Sequence, residues 1–247
     1  MFNDNFNIKK EYTLYGDELS EPPSNSGIFE TSLIHSVMKN DIDKLKLIIQ
    51  HPSFDPVKSQ VKTSIFTAVK FNRIDIFDEL LKLVDNDVNI HFQNGDSLLT
   101  HAVIYKSEDI IEKIINNDNF DSNENDLLTA FLKTFSFERT VKNKGLSHNN
   151  NNNNNLHDEI ALPNSMELIY NYDEQHDHLI DFKKLLPNGN SYFTSIFSFC
   201  DGIENIVEFF LNHDVDPDLP DEKGVYPLEH AIRINSYPIA NLLIESN

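Results

Sequence analysis

One cysteine, no tryptophan and seven glycines are all that 247 residues contain of three residue types on which many sites are built. With Cys200 alone, no internal disulfide can form. Seven glycines leave little room for loops that cradle phosphate. Positive charge is also scarce: 20 Lys and Arg face 40 Asp and Glu, a net charge of -20. That field repels nucleic acid, whose recognition needs cationic contacts to phosphate, and it suits solubility or a basic protein partner. No apolar run approaches the ~20 residues of a membrane span. Met1 to Lys10 is polar, unlike a signal peptide, and no Asn-X-Ser/Thr acceptor occurs. The expectation is a cytoplasmic protein, with the nucleus also compatible, and no membrane partner. Gly-x-Ser-x-Gly, His-Glu-x-x-His and phosphate-loop motifs are missing, so the chain is expected to be non-enzymatic and without cofactor.

What is present is repetition. Residues 1–26 mix acid, proline and serine without period and are expected to form a disordered tail. From Phe29, apolar residues recur at helical spacing. Thr31-Ser-Leu-Ile-His-Ser-Val37 is matched by Thr63 to Val69, Ser97 to Val103, Ser191 to Phe197 and Tyr226 to Ile232, and more weakly by Asn125 to Phe131. The third residues of these copies are Leu33, Ile65, Leu99, Leu127, Phe193 and Leu228, separated by 32, 34, 28, 66 and 35 positions. A second amphipathic run follows each copy: Ile42 to Ile49, Ile74 to Leu83, Glu108 to Ile115, Ser165 to Tyr170, Ile203 to Leu211 and Ile239 to Ile244. Each unit therefore predicts two short antiparallel helices, which must stack because neither buries its apolar face alone. Repeats one to three and the first part of the fourth occupy 27–137. Residues 138–163, with seven consecutive asparagines at Asn149 to Asn155, are expected to be a disordered low-complexity insertion. The rest of repeat four and repeats five and six occupy 164–247, with an enlarged loop at Asp173 to Lys184.

These units resemble the ankyrin repeat and its signature Gly-x-Thr-Pro-Leu-His-x-Ala-Ala. Gly224-Val-Tyr-Pro-Leu-Glu-His-Ala-Ile232 matches best, and Asp87-Val-Asn89 and Asp214-Val-Asp216 resemble the family's pre-turn tail. The resemblance covers about 190 residues and implies an all-α solenoid of about six helix–turn–helix repeats. Local chemistry agrees. Gly95, Gly189 and Gly224 stand two residues before the Thr-like position, where a tight turn calls for positive φ. Thr31, Thr63, Ser97 and Ser191 are placed to cap first helices, Pro227 to open one, and Pro238 to sit in a first turn. The motif's His is replaced throughout, by Ile34, Phe66, Thr100, Leu128, Thr194 and Glu229. A HEAT-type solenoid is the competing fold, but its period of about 40–47 fits poorly.

Three clusters could carry chemistry. Asp214 to Glu222 alternates carboxylates, but Leu219 and Val225 stand where an EF-hand needs Gly and Glu, so an acidic hairpin is expected. His176 and His178, with His157 nearby, fall short of the rigid three- or four-ligand frame of a zinc site. Cys200 has no neighbouring base that would make it a nucleophile. No metal site is expected. The resemblance instead implies partner docking on the concave face formed by the first helices. Met38, Phe71, Ile104, Tyr105 and Leu132 would form its apolar stripe, with Lys70, His101 and Arg233 beside it. The expected function is a scaffold or adaptor for an unidentified, possibly basic protein. The alternative is a diverged repeat protein with a structural role, or a stripe covered by the tail or the Asn tract. Oligomeric state stays open, as does the capping of the last apolar helix.

Overall fold

The computed structural model describes residues 32–54, 58–92, 94–121, 123–136, 164–176, 178–197, 203–213 and 215–246. The chain divides into two compact units between Ala130 and Phe131. Cys200, Asp201, His157, Asp177, Asp214, Thr31, the N-terminal 26 residues and the Asn tract lie outside the described residues. All regular elements among the described residues are helical, and none of the helices is long and apolar enough to cross a membrane.

The first unit holds α1 (Ser32–Met38), α2 (Ile42–Ile49), α3 (Lys58–Lys70), α4 (Ile74–Leu81) with a 3-10 turn at Lys82–Val84, α5 (Leu98–Ile104) and α6 (Glu108–Ile115). It also contains the start of α7 (Glu124–Ser136), which crosses the boundary between the units. First helices α1, α3 and α5 pack side by side, and second helices α2, α4 and α6 form a layer behind them. The repeat register fixes what lies between the layers. Leu33, Ile65 and Leu99, and Val37, Val69 and Val103 four residues on, are all buried. From the second layer Leu45 and Ile48, Phe77 and Leu80, and Ile111 and Ile114 meet them, also buried. Each such side chain contributes about 1.5–3 kcal/mol of burial.

The turn from first to second helix has one design in the four repeats where it is described. Asn40, Asn72, Lys106 and, in the second unit, Asn235 occupy the same register position, with φ of 55°, 49°, 54° and 56°. At each, the N–H donates to the carbonyl three residues back, as from Asn40 to Val37 at 3.0 Å. The next N–H reaches five residues back, as from Asp41 to Ser36 at 2.9 Å. This pair of bonds satisfies carbonyls that the helix end leaves open, and Asn tolerates the left-handed residue it requires.

Hairpins set the starts of α5 and its counterparts. Gly95 N–H donates to Phe92 and Phe92 N–H to Asp96, with φ of 85° at the glycine. Leu186–Gly189–Asn190 and Asp221–Gly224–Val225 repeat the arrangement. Ser97 then caps α5, its Oγ accepting from Thr100 N–H at 3.2 Å. The second repeat departs from expectation. Its first helix begins at Lys58, so Thr63 lies inside α3 and its carbonyl accepts from the Thr67 hydroxyl at 2.8 Å.

The second unit continues from α7 with α8 (Asn164–Gln175), α9 (Tyr192–Ile196), α10 (Glu204–Asn212), α11 (Pro227–Arg233) and α12 (Tyr237–Glu245). Ser191 and Thr194 cap α9 reciprocally, each side chain taking the other's backbone N–H, at 2.8 and 3.2 Å. Pro227 opens α11, and Pro238 sits in the first turn of α12. The enlarged loop starts later than expected, because α8 runs to Gln175 and keeps Asp173 on the helix. There its buried carboxylate accepts from Ile180 N–H at 3.1 Å, and burial pushes its pKa up. The loop folds back onto the core: Ile180 and Leu186 are buried, and the Phe182 ring lies 5.4 Å from Phe131 and 4.9 Å from Tyr192.

Candidate functional site

The first helices of the first unit end in a set of side chains at two adjacent register positions. Met38 and Ile104 share one, where the second repeat has Lys70, and Phe71 and Tyr105 share the next, where the first repeat has Lys39. Met38 ends α1, Phe71 follows α3, and Ile104 with Tyr105 closes α5. Met38 and Phe71 are exposed, while Ile104 and Tyr105 are half-buried.

Around Tyr105 lies an aromatic cluster that the sequence pattern does not reveal. The His101 ring meets Phe66 edge-on at 4.9 Å and Phe92 at 4.6 Å, and lies parallel to Tyr105 at 6.4 Å. Phe66 also meets Tyr105 and Phe92, each at 5.5 Å. Lys70 Nζ sits 5.7 Å from the centre of the Tyr105 ring, within cation–π range. His101, expected to point outward, is buried, and neither ring nitrogen has a hydrogen-bond partner among the described residues. Burial pulls its pKa down, opposed by the Asp96 carboxylate, and a neutral ring results at pH 7. The cluster thus stiffens the base from which Tyr105 and Lys70 project.

Of the remaining expected residues, Leu132 and Arg233 belong to the second unit. Leu132 is half-buried on α7; Arg233 is exposed at the end of α11 and pairs with Glu229 at 2.7 Å. The other candidate clusters are occupied locally. His176 stacks on Tyr172 at 4.0 Å and bonds its carbonyl, and His178 lies 3.5 Å from Glu174. Asp216 accepts from Asp218 N–H; Asp221 accepts from Lys223 and Val225 N–H groups at 2.9 Å, with His230 at 3.4 Å. The Val225 bond is the largest of the interactions holding the Asp221 pKa down. Among the described residues, no three His, Cys, Asp or Glu side chains converge as a metal would require. On the second-helix side, a shallow groove near Ile42 contains Lys46, Lys82 and Lys113, held by Glu79 and Asp78.

No family model and no curated protein matches the sequence. Solved structures do match the fold. One is an ankyrin repeat domain from Acinetobacter baumannii, 16% identical, with a TM-score of 0.57 over 87% of this chain and 96% of that one. The fold is ankyrin-like. Another match is a chain from the structure of a predatory endopeptidase from Bdellovibrio bacteriovorus in complex with an immunity protein. It is 16% identical, with a TM-score of 0.57 over 88% of this chain and 99% of that one. In two repeats a threonine takes the place of the motif histidine. At that position Thr100 and Thr194 put a hydroxyl within 3.1 and 3.2 Å of the capping Ser97 and Ser191 hydroxyls. A short hydroxyl therefore serves the helix start.

Proposed function

We propose that the chain is a non-enzymatic protein-interaction module, and that its first-helix face in the first unit docks the partner. The carrying observation is the set Met38, Phe71, Ile104 and Tyr105, solvent-accessible at the ends of successive first helices, with Tyr105 packed against the buried Phe66 and His101 rings. Aromatic and methionine side chains with polar neighbours, on a rigid support, are the usual anchors of a binding patch. Preorganisation matters because ordering such side chains on binding costs about 0.5–1.5 kcal/mol each. Supporting the reading at the level of fold, a chain of similar architecture occurs in a complex of two proteins.

The test is affinity capture from native lysate, read by mass spectrometry, comparing wild type with an Ile104→Asp, Tyr105→Ala variant. Circular dichroism must first show both equally helical. A protein retained by wild type and lost by the variant is the expected result. Equal recovery by both would remove the assignment to this face.

A further inference from the structure

The first unit sorts its charge by layer. Helices α1, α3 and α5 contain three lysines and no Asp, Glu or Arg. Helices α2, α4 and α6 contain seven carboxylates against three lysines. The whole chain has 40 acidic and 20 basic residues, so a layer without carboxylates runs against its composition. The sorting meets the apolar set at the ends of the first helices. Lys39 follows Met38, Lys70 precedes Phe71, and Lys106 follows Tyr105. Lys39 and Lys106 are exposed; Lys70 is half-buried, its Nζ 5.7 Å from the Tyr105 ring centre. Lys62, also exposed, stands two turns before Lys70 on the side of α3 that carries Phe66. Among the described residues, no carboxylate lies within ion-pairing distance of Lys39 or Lys62. Lys44 leans from the second layer onto α1, with its Nζ 3.1 Å from His35 Nδ1. Carboxylates return beyond the turns, where Asp41 accepts from Lys44 N–H at 2.9 Å and Asp109 from the Asn72 amide at 3.1 Å. On the hairpin, Asp96 accepts from the Asn94 amide at 2.8 Å.

We propose that the first-helix face of the first unit takes an extended acidic segment of another protein, with large apolar side chains between its carboxylates. This rests on the reading of that face as the docking surface and adds the chemistry of what docks. The sign is opposite to the one that net charge alone suggests. Helices packed side by side lie about 8–10 Å apart, and an extended chain advances about 3.3 Å per residue. A carboxylate at every third residue therefore meets one lysine per repeat, Lys39, Lys70 and Lys106 in turn. The side chains between them reach Met38, Phe71 and Tyr105, all solvent-accessible. A basic segment would meet like charge at the end of each first helix, which excludes it. Nucleic acid needs a denser array of cations than one lysine per repeat, and the carboxylates of the second layer repel it. The net charge of -20 is screened beyond about 8 Å at physiological salt, so the lysines that touch the segment decide the sign.

Fluorescence anisotropy on the full chain tests the proposal with two labelled peptides, four repeats of Glu-Phe-Ser and four of Gln-Phe-Ser. At physiological salt the glutamate peptide should bind at least about tenfold tighter, and the gap should close as salt rises to about 1 M. Lys39→Gln, Lys70→Gln and Lys106→Gln together should bring the ratio to within about twofold. Partial unfolding lowers both affinities together and does not imitate that change, and circular dichroism checks the fold. Equal binding of the two peptides by wild type overturns the proposal. So does a glutamate peptide unbound at about 1 mM, or a ratio that the lysine changes leave alone. A single-stranded oligonucleotide that binds tighter than the glutamate peptide would assign the lysines to nucleic acid and overturn it too. If Asp17→Asn, Glu18→Gln and Glu21→Gln raise the affinity for the glutamate peptide about tenfold, the occupant is this chain's own segment, and the proposal falls. A sedimented mass of twice 28.5 kDa that the peptide halves would name a second copy, with the same consequence. The docking reading fails separately. A lysate protein lost by the Ile104→Asp, Tyr105→Ala variant but kept by the lysine variant refutes the acidic chemistry and leaves the docking surface in place.

Discussion

The second and third repeats bury the same register and start their first helices differently. In the third, Gly95 turns the chain, Ser97 caps, and α5 is seven residues long. In the second, α3 runs thirteen residues from Lys58 and includes Thr63, the residue at the Ser97 position. Both nevertheless present the same buried pair, Ile65 with Val69 and Leu99 with Val103. The difference separates two jobs that a repeat consensus merges. Apolar spacing decides how a repeat stacks; turn chemistry decides only where its helix begins. Where the hairpin glycine is missing, nothing breaks the helical period, and Val61 adds another buried turn.

The largest effect should come from the shared register. Ile65→Ala and Leu99→Ala each empty a fully buried site and should each cost about 2–5 kcal/mol in urea unfolding. The comparison breaks if Ile65→Ala proves several-fold milder, because stacking would then depend on the hairpin as well as on spacing.

A smaller effect should separate the helix starts. Ser97→Ala removes a hydroxyl that accepts from Thr100 N–H, and should cost about 1 kcal/mol. Thr63→Ala acts inside a helix, where it exchanges a β-branched residue for a better helix former, and should stay within about 0.5 kcal/mol. Equal losses would mean that Thr63 does more for α3 than its place in the helix accounts for.

Spacing made much of this legible in advance. The apolar runs Ile42 to Ile49 and Glu108 to Ile115 coincide with α2 and α6, since helices with one apolar stripe and polar ends leave little ambiguity. Gly95, Gly189 and Gly224 reveal positive φ because few other residues adopt it cheaply. At Gly189 an added Cβ would also meet the Glu222 side chain. The start of α3 departs from the repeat frame because Val61, Ile65 and Val69 keep the helical period through the place where the frame puts a cap. The site was legible only as positions. Whether His101 meets solvent depends on Phe66 from the neighbouring repeat and Phe92 from the hairpin, contacts that local periodicity does not encode.

The smallest effect sharpens the comparison at one further register position, where the second repeat has Thr67 and the third His101. Both are buried, but Thr67 satisfies its hydroxyl on the Thr63 carbonyl, whereas the His101 nitrogens are unpartnered among the described residues. Burial holds the folded-state pKa of His101 below the ordinary histidine value of about 6.5, with Asp96 opposing it and Lys70 close to the adjoining Tyr105 ring. As pH falls through about 6.5, the unfolded chain takes up a proton that the folded chain refuses, so protonation favours unfolding. Stability is therefore retained above that pH and declines below it, until the folded ring also titrates. His101→Phe keeps an aromatic ring against Phe66 and Phe92 and removes the titration. Urea midpoints of wild type and variant, measured from about pH 7.5 to about pH 5, should diverge with the wild type falling faster. The other histidines are common to both proteins and cancel in the difference. Parallel curves would mean that His101 accepts its proton as readily folded as unfolded, and the aromatic base beneath Tyr105 would then have to open to water far more than its packing suggests.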